Sequence, residues 1–293
     1  MKQILITAKH SYIGCSLAKW LARYPKEYQV AYISQRTADW KQIDFSKYDV
    51  VVDVTGIAHV DVRENDSEAE KNYYRVNCDL AVETAELAKK AGVKQFIYMS
   101  SMIVYGDSAP IGKRKCITEK TCPKPSGYYG KSKLMAEQKL FALETKSFRV
   151  AAVRSPMVYG AGSRGNYPKL ARMAKLSPVF PKIANERSMI FIDHLCELIR
   201  LIIEHEDRGV FCPQNRETVQ TSEMVRLISH THHLPMILIP GFCGILKALA
   251  KYSGYVDKVF GNLTYDSELS NVYENGYQIH DFAETIRITE HLD

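Results

Sequence analysis

Hydrophobic positions along the first 155 residues alternate between short apolar runs and stretches with helical spacing. The apolar runs predict five strands, at Gln3 to Thr7, Tyr28 to Ser34, Val50 to Val54, Phe96 to Met99 and Phe148 to Val153. Helical spacing predicts helices at Gly14 to Arg23, Asn77 to Ala91 and Lys131 to Glu144. Strands that alternate with helices at this rhythm form a parallel sheet covered on both faces. The sequence therefore predicts an α/β, doubly wound fold.

The pattern changes after Tyr159. Residues 160–166 are rich in glycine and polar side chains, and six of the eleven prolines lie beyond residue 159. This predicts a division into a sheet domain over 1–158 and a smaller, loop-rich α/β lobe over 159–293 for the substrate. Residues 187–205 have the pattern of a strand and a helix, and we expect them to return to the first domain.

Composition and charge narrow the class of protein. With 293 residues, 46 % of them hydrophobic and 25 % charged, the chain is an ordinary globular protein large enough to bury a core. The net charge of +6 comes from scattered residues, and the densest basic run is Lys113-Arg114-Lys115, so we expect no nucleic acid partner. The most apolar stretch, Leu234 to Ala250, contains two prolines and Lys247. It falls short of a membrane span and predicts a strand, a turn and a helix, so we expect no membrane partner.

Cysteine and histidine positions predict neither disulfides nor a metal site. The seven cysteines form no C-x-x-C pair, as in a cytoplasmic protein with reduced thiols. His230, His232 and His233 follow an amphipathic segment and have no acidic or cysteine partner nearby in the sequence. We therefore expect a cytoplasmic protein without a metal ion.

The turn after the first predicted strand, Thr7 to Gly14, is where dinucleotide-binding Rossmann folds hold the cofactor pyrophosphate. Such turns carry glycines, which let the backbone approach the phosphates. Here Gly14 alone remains from the G-x-x-G-x-x-G pattern, with Ala8 and Ser11 at the other two places. Both side chains are small enough for this approach, but Ala8 is strained if the turn needs a positive φ.

Three polar residues in the first half have the spacing of a proton-transfer site. Tyr129 and Lys133 lie four residues apart at the start of a predicted helix, so both side chains lie on one face. A nearby ammonium group lowers the pKa of a tyrosine hydroxyl toward the working range. Ser101, at the end of a predicted strand, is placed to hydrogen-bond the same substrate oxygen. A surface Tyr and Lys on an amphipathic helix is the alternative, but the strand-end serines and the βαβ order favour catalysis.

These residues occur in motifs that resemble those of one family. Over nearly its whole length the chain resembles the extended short-chain dehydrogenases/reductases of the NAD-dependent epimerase/dehydratase family, and it is similar to UDP-glucose 4-epimerases. The matching motifs are the first turn, Asp44-Phe45, Gly56-Ile57-Ala58-His59, Asn77, the run Ser100 to Gly106, Tyr129 with Lys133, the run Arg154 to Gly160, and the run Arg187 to Asp193. Segments 165–168, 213–215 and 260–263 resemble a branch of sugar-nucleotide epimerases from bacterial polysaccharide clusters.

The resemblance implies a role for each matching residue. Ser101 would hold the reacting hydroxyl, Tyr129 would be the general base, and Lys133 would bind the nicotinamide ribose and lower the tyrosine pKa. The cofactor-binding residues would be Thr7, Ser11, Tyr12, Ile13, Gly14, Arg36, Asp44, Phe45, Thr55, Gly56, Ile57, Asn77, Tyr129 and Lys133. The substrate-binding residues would be Ser101, Tyr129, Asn166 and Arg187, of which Arg187 would hold a diphosphate with its planar guanidinium.

Several positions depart from the family pattern. Asp53 stands where an apolar residue or a histidine is usual, and Met157 replaces an Asn that touches the sugar nucleotide in many epimerases. Met102 and Ile103 replace the Asp-Glu pair with which sugar 4,6-dehydratases eliminate water, which argues against dehydration. The second predicted strand ends without the acid that binds a ribose 2′-OH, and Arg36 follows it. NADP therefore stays open as a cofactor beside NAD.

The residues and the resemblance together favour a nucleotide-sugar 4-epimerase with bound NAD, which works through a transient 4-keto sugar in polysaccharide precursor synthesis. An NAD(P)H-dependent 4-keto-sugar reductase, which uses the same residues but releases its cofactor, is the first alternative. A dinucleotide-binding regulator without turnover is the second, suggested by the reduced glycine turn. The resemblance also implies a homodimer through the predicted helices at Asn77–Ala91 and Lys131–Glu144.

Overall fold

The computed structural model describes residues 1–58, 66–250 and 254–290. Its strands are β1 (Lys2–Ile6), β2 (Tyr28–Tyr32), β3 (Val50–Asp53), β4 (Gln95–Ser101), β5 (Cys116–Ile117), β6 (Arg149–Ser155), β7 (Met157–Tyr159), β8 (Val179–Pro181), β9 (Met189–Phe191), β10 (Gly209–Phe211), β11 (Ile237–Ile239) and β12 (Thr264–Tyr265). Its α-helices are α1 (Tyr12–Leu21), α2 (Ser67–Tyr74), α3 (Leu80–Lys90), α4 (Tyr128–Ala142), α5 (Asn166–Leu176), α6 (Ile192–His205), α7 (Thr221–Thr231), α8 (Cys243–Ala250), α9 (Gly254–Phe260), α10 (Ser267–Ser270) and α11 (Phe282–Glu290).

The chain divides into two compact units. The first comprises residues 1–106, 122–155 and 195–213, and the second comprises residues 107–121, 156–194 and 214–293. The sequence interpretation assigned both elements of 187–205 to the first domain. The structure differs for the strand, because β9 pairs in parallel with β7 in the second unit, and α6 belongs to the first unit only from Leu195 onward.

A six-stranded parallel sheet forms the centre of the first unit. Its strand order is β10-β6-β4-β3-β1-β2. Every residue of β3 is buried, as expected for a strand with helices over both faces. Helices α3 and α4 cover one face through a core that includes Ala85, Ala88 and Leu140, while α1 lies against the side chain of Ile6 on the other face. The predicted α/β, doubly wound fold is confirmed, and β10 is a strand that the sequence analysis did not predict.

A helical turn of π type joins α2 to α3, so that residues 67–90 form one continuous helix. The carboxylate of Asp66 caps its start by accepting hydrogen bonds from two backbone N–H groups, at 3.0 and 3.1 Å. The prediction began this helix at Asn77, which instead lies within the π turn. The Tyr98 hydroxyl donates to the carbonyl oxygen of Asn77 at 2.6 Å. Insertions of this type are frequent at functional sites.

A buried ion pair attaches α4 to the sheet. Arg154 on β6 donates from Nε to Oε1 of Glu137 at 3.0 Å and from Nη2 to Oε2 at 2.6 Å. Ser100 on β4 donates to the same carboxylate. Tyr129 and Lys133 lie eight and four residues before Glu137, so this contact also determines which way their side chains face.

The second unit contains three pairs of parallel strands among its described residues, β7 with β9, β8 with β11, and β5 with β12. Its core includes a cluster of aromatic rings around Tyr159, which stacks on Tyr167 with ring centres 5.5 Å apart. The Tyr159 hydroxyl accepts a hydrogen bond from Asn215 at 2.7 Å and lies 2.6 Å from the Thr285 hydroxyl. The unit therefore has a packed core of its own.

Ala8 has the left-handed backbone conformation, with a φ of +54°. In that region Cβ crowds the following carbonyl group, which costs about 1–2 kcal/mol for a residue other than glycine. Two backbone hydrogen bonds hold the turn in place, from Lys9 N–H to Ile33 O at 3.2 Å and from Ser11 N–H to Ala8 O at 2.7 Å. The sequence analysis expected Ala8 to be strained if the turn needs a positive φ. The structure has this positive φ, so the strain is present.

We expect Ala8→Gly to raise the free energy of unfolding by about 0.5–1 kcal/mol. Glycine removes the Cβ strain but loses more backbone entropy on folding, so the gain is smaller than the strain. Chemical denaturation of the two proteins measures this difference. Ala18→Gly in α1 is the matched control and should lower stability by about 1 kcal/mol, since Ala18 is helical. Equal losses of stability in the two variants would show that Ala8 is not strained.

Candidate active site

Ser101 and Tyr129 meet at the carboxyl end of β4. Ser101 is the last residue of that strand, and its neighbour Ser100 points the opposite way because side chains alternate along a strand. Tyr129 lies in the first turn of α4, and an interaction with the Ser101 side chain lowers the pKa of Tyr129. Ser100 is engaged with Glu137, so the structure distinguishes the two serines of the motif and leaves Ser101 at the site.

The ammonium group of Lys133 is buried one helical turn further along α4. Its Nζ donates to the carbonyl oxygen of Met99 at 2.7 Å and to that of Thr55 at 3.5 Å. It also lies 4.5 Å from the centre of the Tyr98 ring, a favourable position for a cation. Lys133 is therefore an interior residue, in contrast to the surface pair that the sequence left open.

The pKa values of Lys133 and Tyr129 reflect burial and, in the opposite direction, neighbouring charges or hydrogen bonds. Burial lowers the pKa of Lys133 to about 8, while the negative charges of Asp53 and Glu137 raise it. Burial raises the pKa of Tyr129, and the hydrogen bond with Ser101 lowers it. The sequence analysis expected Lys133 to lower the pKa of Tyr129. In this structure burial is the larger influence, so the pKa of Tyr129 is raised.

The backbone at Gly56 packs closely against the ammonium group of Lys133. A Cβ atom at Gly56 would lie 3.2 Å from Lys133 Nζ and 3.1 Å from Asn77 Oδ1. The Asn77 side chain holds the next residue, because Oδ1 accepts from Ile57 N–H at 2.8 Å and Nδ2 donates to Ile57 O at 3.1 Å. The structure thus brings the predicted cofactor residues Thr55, Gly56, Ile57 and Asn77 together beside Lys133. His59, which follows in the same motif, lies outside the described residues.

The predicted pyrophosphate turn, Thr7 to Gly14, joins β1 to α1. Ser11 caps the helix, since its Oγ accepts a hydrogen bond from Gly14 N–H at 3.4 Å. Gly14 is needed for close packing, because a Cβ atom there would lie 3.1 Å from methyl groups of both Ile6 and Val54. Tyr12 and Ile13 form the first turn of α1, whose N-terminus favours an anion.

Asp53 is a fully buried acid at the carboxyl end of β3. Its Oδ1 accepts hydrogen bonds from the Thr7 hydroxyl at 2.5 Å and from Thr55 N–H at 3.2 Å. Its Oδ2 has no hydrogen-bond partner among the described residues. Burial raises the pKa of Asp53, while the Thr7 hydrogen bond and the charge of Lys133 lower it. The sequence analysis noted Asp53 only as a departure from the family pattern. It missed the link to Lys133, in which Thr55 N–H donates to Asp53 and the Thr55 carbonyl oxygen accepts from Lys133.

A chain of hydrogen bonds connects this acid to the end of β2. The Thr55 hydroxyl lies 2.8 Å from the Thr7 hydroxyl and also contacts Gln35 Oε1. Gln35 Nε2 then donates to the Thr84 hydroxyl at 2.6 Å. Thr7, Gln35 and Asp53 lie at or just beyond the ends of three neighbouring strands. That repetition of polar residues is the sequence signal that could have revealed the network.

Of the three residues predicted to line the adenine and its ribose, two are exposed and one is buried. Arg36 is exposed beyond the end of β2. Asp44 is also exposed, and its carboxylate accepts from the Ser46 N–H at 3.1 Å and from the Ser46 hydroxyl at 2.6 Å, which lowers the pKa of Asp44. The ring of Phe45 is buried in the hydrophobic core. A contact of Phe45 with a ligand would therefore fall to its backbone.

The two predicted substrate residues Asn166 and Arg187 belong to the second unit. Asn166 is the first residue of α5. Arg187 Nη1 donates to the carbonyl oxygen of Gly261 at 3.2 Å and to the Ser108 hydroxyl at 3.4 Å. Burial lowers the pKa of Arg187 to about 10. No carboxylate in the described part of the chain forms an ion pair with Arg187, so its guanidinium is suited to an external anion.

The first unit has features that fit a dinucleotide. They are the N-terminus of α1 for a diphosphate, the glycine at position 56, and the buried ammonium of Lys133 one helical turn from Tyr129. Within residues 1–58, 66–250 and 254–290, no three His, Cys, Asp or Glu side chains are grouped to hold a metal ion. His232, one of the clustered histidines, instead contacts Glu290 at 2.6 Å. No helix of the described chain is long and apolar enough to cross a membrane.

Comparison with known sequences identifies a matching family and two relatives. The model of the NAD dependent epimerase/dehydratase family matches residues 4–211. A UDP-glucose 4-epimerase from Vibrio cholerae is 31 % identical over 226 residues, which cover 74 % of this chain and 68 % of that protein. The uncharacterized protein y4nG from Sinorhizobium fredii is 29 % identical over 176 residues, which cover 56 % of this chain and 43 % of that protein.

Solved structures share the fold at low sequence identity. UDP-glucuronic acid 4-epimerase from Bacillus cereus, in complex with NAD, is 16 % identical with a TM-score of 0.73, covering 98 % of this chain and 97 % of that one. The dTDP-4-dehydrorhamnose reductase from Bacillus anthracis, in complex with NADP, is 18 % identical with a TM-score of 0.74, covering 99 % and 98 %. Because the family model matches well over half of the sequence, this chain belongs to the NAD-dependent epimerase/dehydratase family.

Proposed function

We propose that this protein is a nucleotide-sugar 4-epimerase that keeps NAD bound between turnovers. The observation that carries the proposal is the buried ammonium of Lys133, which lies one turn of α4 from Tyr129 at the carboxyl end of the strand that ends in Ser101. These three groups can move a proton to and from a sugar hydroxyl. The relative from Vibrio cholerae, which is named as a UDP-glucose 4-epimerase, supports this substrate class.

In the proposed reaction, Tyr129 accepts the proton of the C4 hydroxyl, and Ser101 hydrogen-bonds the same oxygen. NAD, when bound, supplies the hydride chemistry at the sugar carbon. Burial raises the pKa of Tyr129 and the hydrogen bond with Ser101 lowers it, and in the proposed reaction the charge of Lys133 would favour the phenolate as well. After the 4-keto sugar has turned in the site, Tyr129 returns its proton to the C4 oxygen. The product then differs from the substrate only in the configuration at C4.

For the second unit we propose substrate binding. The half-buried guanidinium of Arg187 would hold the diphosphate of the nucleotide sugar bidentately, and Asn166 would contact the same substrate. We further propose that the enzyme supplies precursors for polysaccharides and acts as a homodimer through α3 and α4.

A one-way reductase of a 4-keto sugar is the second candidate. Arg36 lies exposed beyond β2, and that strand is followed by Gln35 rather than by an acid, which favours a ribose 2′-phosphate over a 2′-OH. A structural neighbour from Bacillus anthracis, a dTDP-4-dehydrorhamnose reductase, was solved with NADP. A regulator without turnover has less support, because a buried ammonium beside a tyrosine costs desolvation energy and a sensor has no use for it.

We expect the purified protein to release about one NAD per chain on denaturation, identified by its mass. An epimerase returns the hydride to the sugar and so has no need to exchange its cofactor, whereas a reductase must release NAD(P)⁺ in each cycle. A protein that is empty and binds only added NADPH would favour the reductase. In that case Arg36→Glu should weaken NADPH binding far more than NADH binding, because the charge reversal acts on the 2′-phosphate.

Replacing Tyr129 by Phe should lower the turnover of UDP-sugars by about 10²–10⁴-fold, the range for loss of a general base. The variant keeps the ring but lacks the hydroxyl group, so the fold and the NAD content should not change. Tyr128→Phe is the matched control, because Tyr128 is the preceding residue of α4 and has no assigned role. Turnover of Tyr129→Phe within a factor of ten of the unmodified enzyme would exclude Tyr129 as the base.

The charge of Asp53 should determine the alkaline limit of activity. Lys133 must be protonated to favour the phenolate, so kcat/KM should fall as the pH rises through the Lys133 pKa of about 8. The negative charge of Asp53 raises that pKa, and Asp53→Asn removes the charge while it keeps an acceptor oxygen for Thr7 and Thr55. The alkaline limb of the kcat/KM profile should therefore move to lower pH in Asp53→Asn.

Asp49→Asn is the control for this shift. Asp49 precedes the same strand at its opposite end, where its carboxylate accepts from Gln3 N–H at 2.9 Å, so its charge is remote from Lys133. The alkaline limb of Asp49→Asn should match that of the unmodified enzyme. An unchanged limb in Asp53→Asn as well would show that Asp53 does not act on Lys133.

A further inference from the structure

Helix α8 of the second unit contributes no buried side chain, although it is one of the most apolar helices of the chain. Ile245 and Leu249 are 58 % and 51 % exposed. Helix α7, just before it in the chain, behaves in the usual way and buries Met224, Val225 and Ile228. A helix with exposed apolar residues in water is unfavourable unless something covers it, so α8 is suited to contact another surface.

Other elements of the second unit also expose apolar side chains. Ile237 of β11 is 63 % exposed and pairs with Val179 of β8, and Leu176 at the end of α5 is 73 % exposed. Ile237 N–H donates to the carbonyl oxygen of Pro178 at 2.8 Å, which ties these elements together. Three residues connect β11 to α8. We call the set the apolar face: Leu176, Val179, Ile237, Phe242, Ile245 and Leu249.

The elements that carry the apolar face, and the loop at Gly112, also carry exposed basic side chains. A Cβ atom at Gly112 would be 3.1 Å from Lys247 Nζ, so the loop that carries Lys113 runs next to α8. Lys182 follows β8 and donates its N–H to the carbonyl oxygen of Ile239 at 2.8 Å. Arg172 is exposed on α5. We call Lys113, Arg172, Lys182 and Lys247 the basic rim, and we leave out Arg114 because it pairs with Glu186 at 3.6 Å.

Acidic residues are absent from the sequence of this region. Between Glu223 and Asp257 the chain contains no Asp or Glu, and α5 contains three basic residues and no acid. Two carboxylates from elsewhere in the chain approach these segments, and each pairs with a basic residue: Glu186 with Arg114 at 3.6 Å and Glu290 with Lys175 at 2.8 Å. Apolar side chains flanked by cations are the pattern of segments that lie in the interface of a bilayer with anionic lipids. A second copy of this chain is a poorer occupant, since two identical basic rims would repel each other.

We propose that the apolar face and the basic rim dock on the surface of a bilayer that contains anionic phospholipid. Phe242, Ile245 and Leu249 would enter the boundary between headgroups and acyl chains, and the basic rim would contact the headgroup phosphates. Helix α8 has eight residues, about 12 Å, so it would lie along the surface. The sequence analysis expected no membrane partner because no segment can span a bilayer, and surface docking needs no span. This proposal does not depend on the proposed catalytic function.

Sedimentation with phospholipid vesicles tests the proposal on the full-length protein. We expect binding to vesicles of phosphatidylcholine mixed with phosphatidylglycerol, little binding to phosphatidylcholine alone, and weaker binding as salt is added. Ile245→Glu should lower the vesicle-bound fraction about tenfold, because a charge replaces an inserted side chain. Ile279→Glu is the matched control. Ile279 is an isoleucine of the same unit that is 41 % exposed outside the apolar face, and its replacement should not change binding.

Each contrary result would overturn the proposal. Absence of vesicle binding would exclude the membrane, and equal binding to both kinds of vesicle would exclude the role of the basic rim. Equal losses in Ile245→Glu and Ile279→Glu would exclude the apolar face. Self-association without vesicles that is lost in Ile245→Glu would make a second copy the occupant. Circular dichroism and the released NAD of both variants should match the unmodified protein, because neither residue lies in the cofactor or substrate site, which separates this test from that of the enzyme.

Discussion

The buried ion pair between Glu137 and Arg154 is the contact on which the geometry of the site depends. Each charge is withdrawn from water, so either one alone would leave a buried ion without compensation, at a cost of about 3–5 kcal/mol. Arg154 also donates to the Tyr105 hydroxyl at 2.6 Å, so its position is fixed from a second side. Because Glu137 can meet Arg154 in only one rotation of α4, the side chains of Tyr129 and Lys133 are directed to the end of β4 with it.

This arrangement explains how an ammonium group is held inside the protein. Lys133 donates its hydrogen bonds to carbonyl oxygens, and its ammonium group lies over the Tyr98 ring. Asp53 and Glu137 supply negative charge, which keeps the pKa of Lys133 from falling further than burial alone would take it. The dependence is mutual, since the charge of Lys133 also lowers the pKa of the buried Asp53 carboxyl. The unusual acid at the end of β3 is therefore understood as part of the same electrostatic balance.

Much of the first unit was predictable because its signals are local. Apolar runs and helical spacing gave five strands of the central sheet, and the four-residue separation of Tyr129 and Lys133 placed both on one face of α4. The strand β10 has only three residues, too few to show a period, and its place beside β6 follows from tertiary pairing. The interaction of Asp53 with Lys133 joins distant parts of the chain, so the spacing of residues in the sequence does not reveal it. The sequence did not reveal that α8 is exposed, because an apolar helix is ordinarily buried.

The turn after β1 shows why a reduced glycine pattern need not mean a lost cofactor site. Each position of the pattern answers a different physical requirement. Gly14 is required by packing, because a Cβ atom would press on Ile6 and Val54 at 3.1 Å. Ser11 meets the need of a helix start with its own side chain, which a glycine lacks. At Ala8 the pattern calls for glycine because the backbone has a positive φ, and the backbone adopts that φ although the residue is alanine. The replacement therefore costs stability while the path of the turn is preserved, which is why a smaller motif is compatible with a working dinucleotide site.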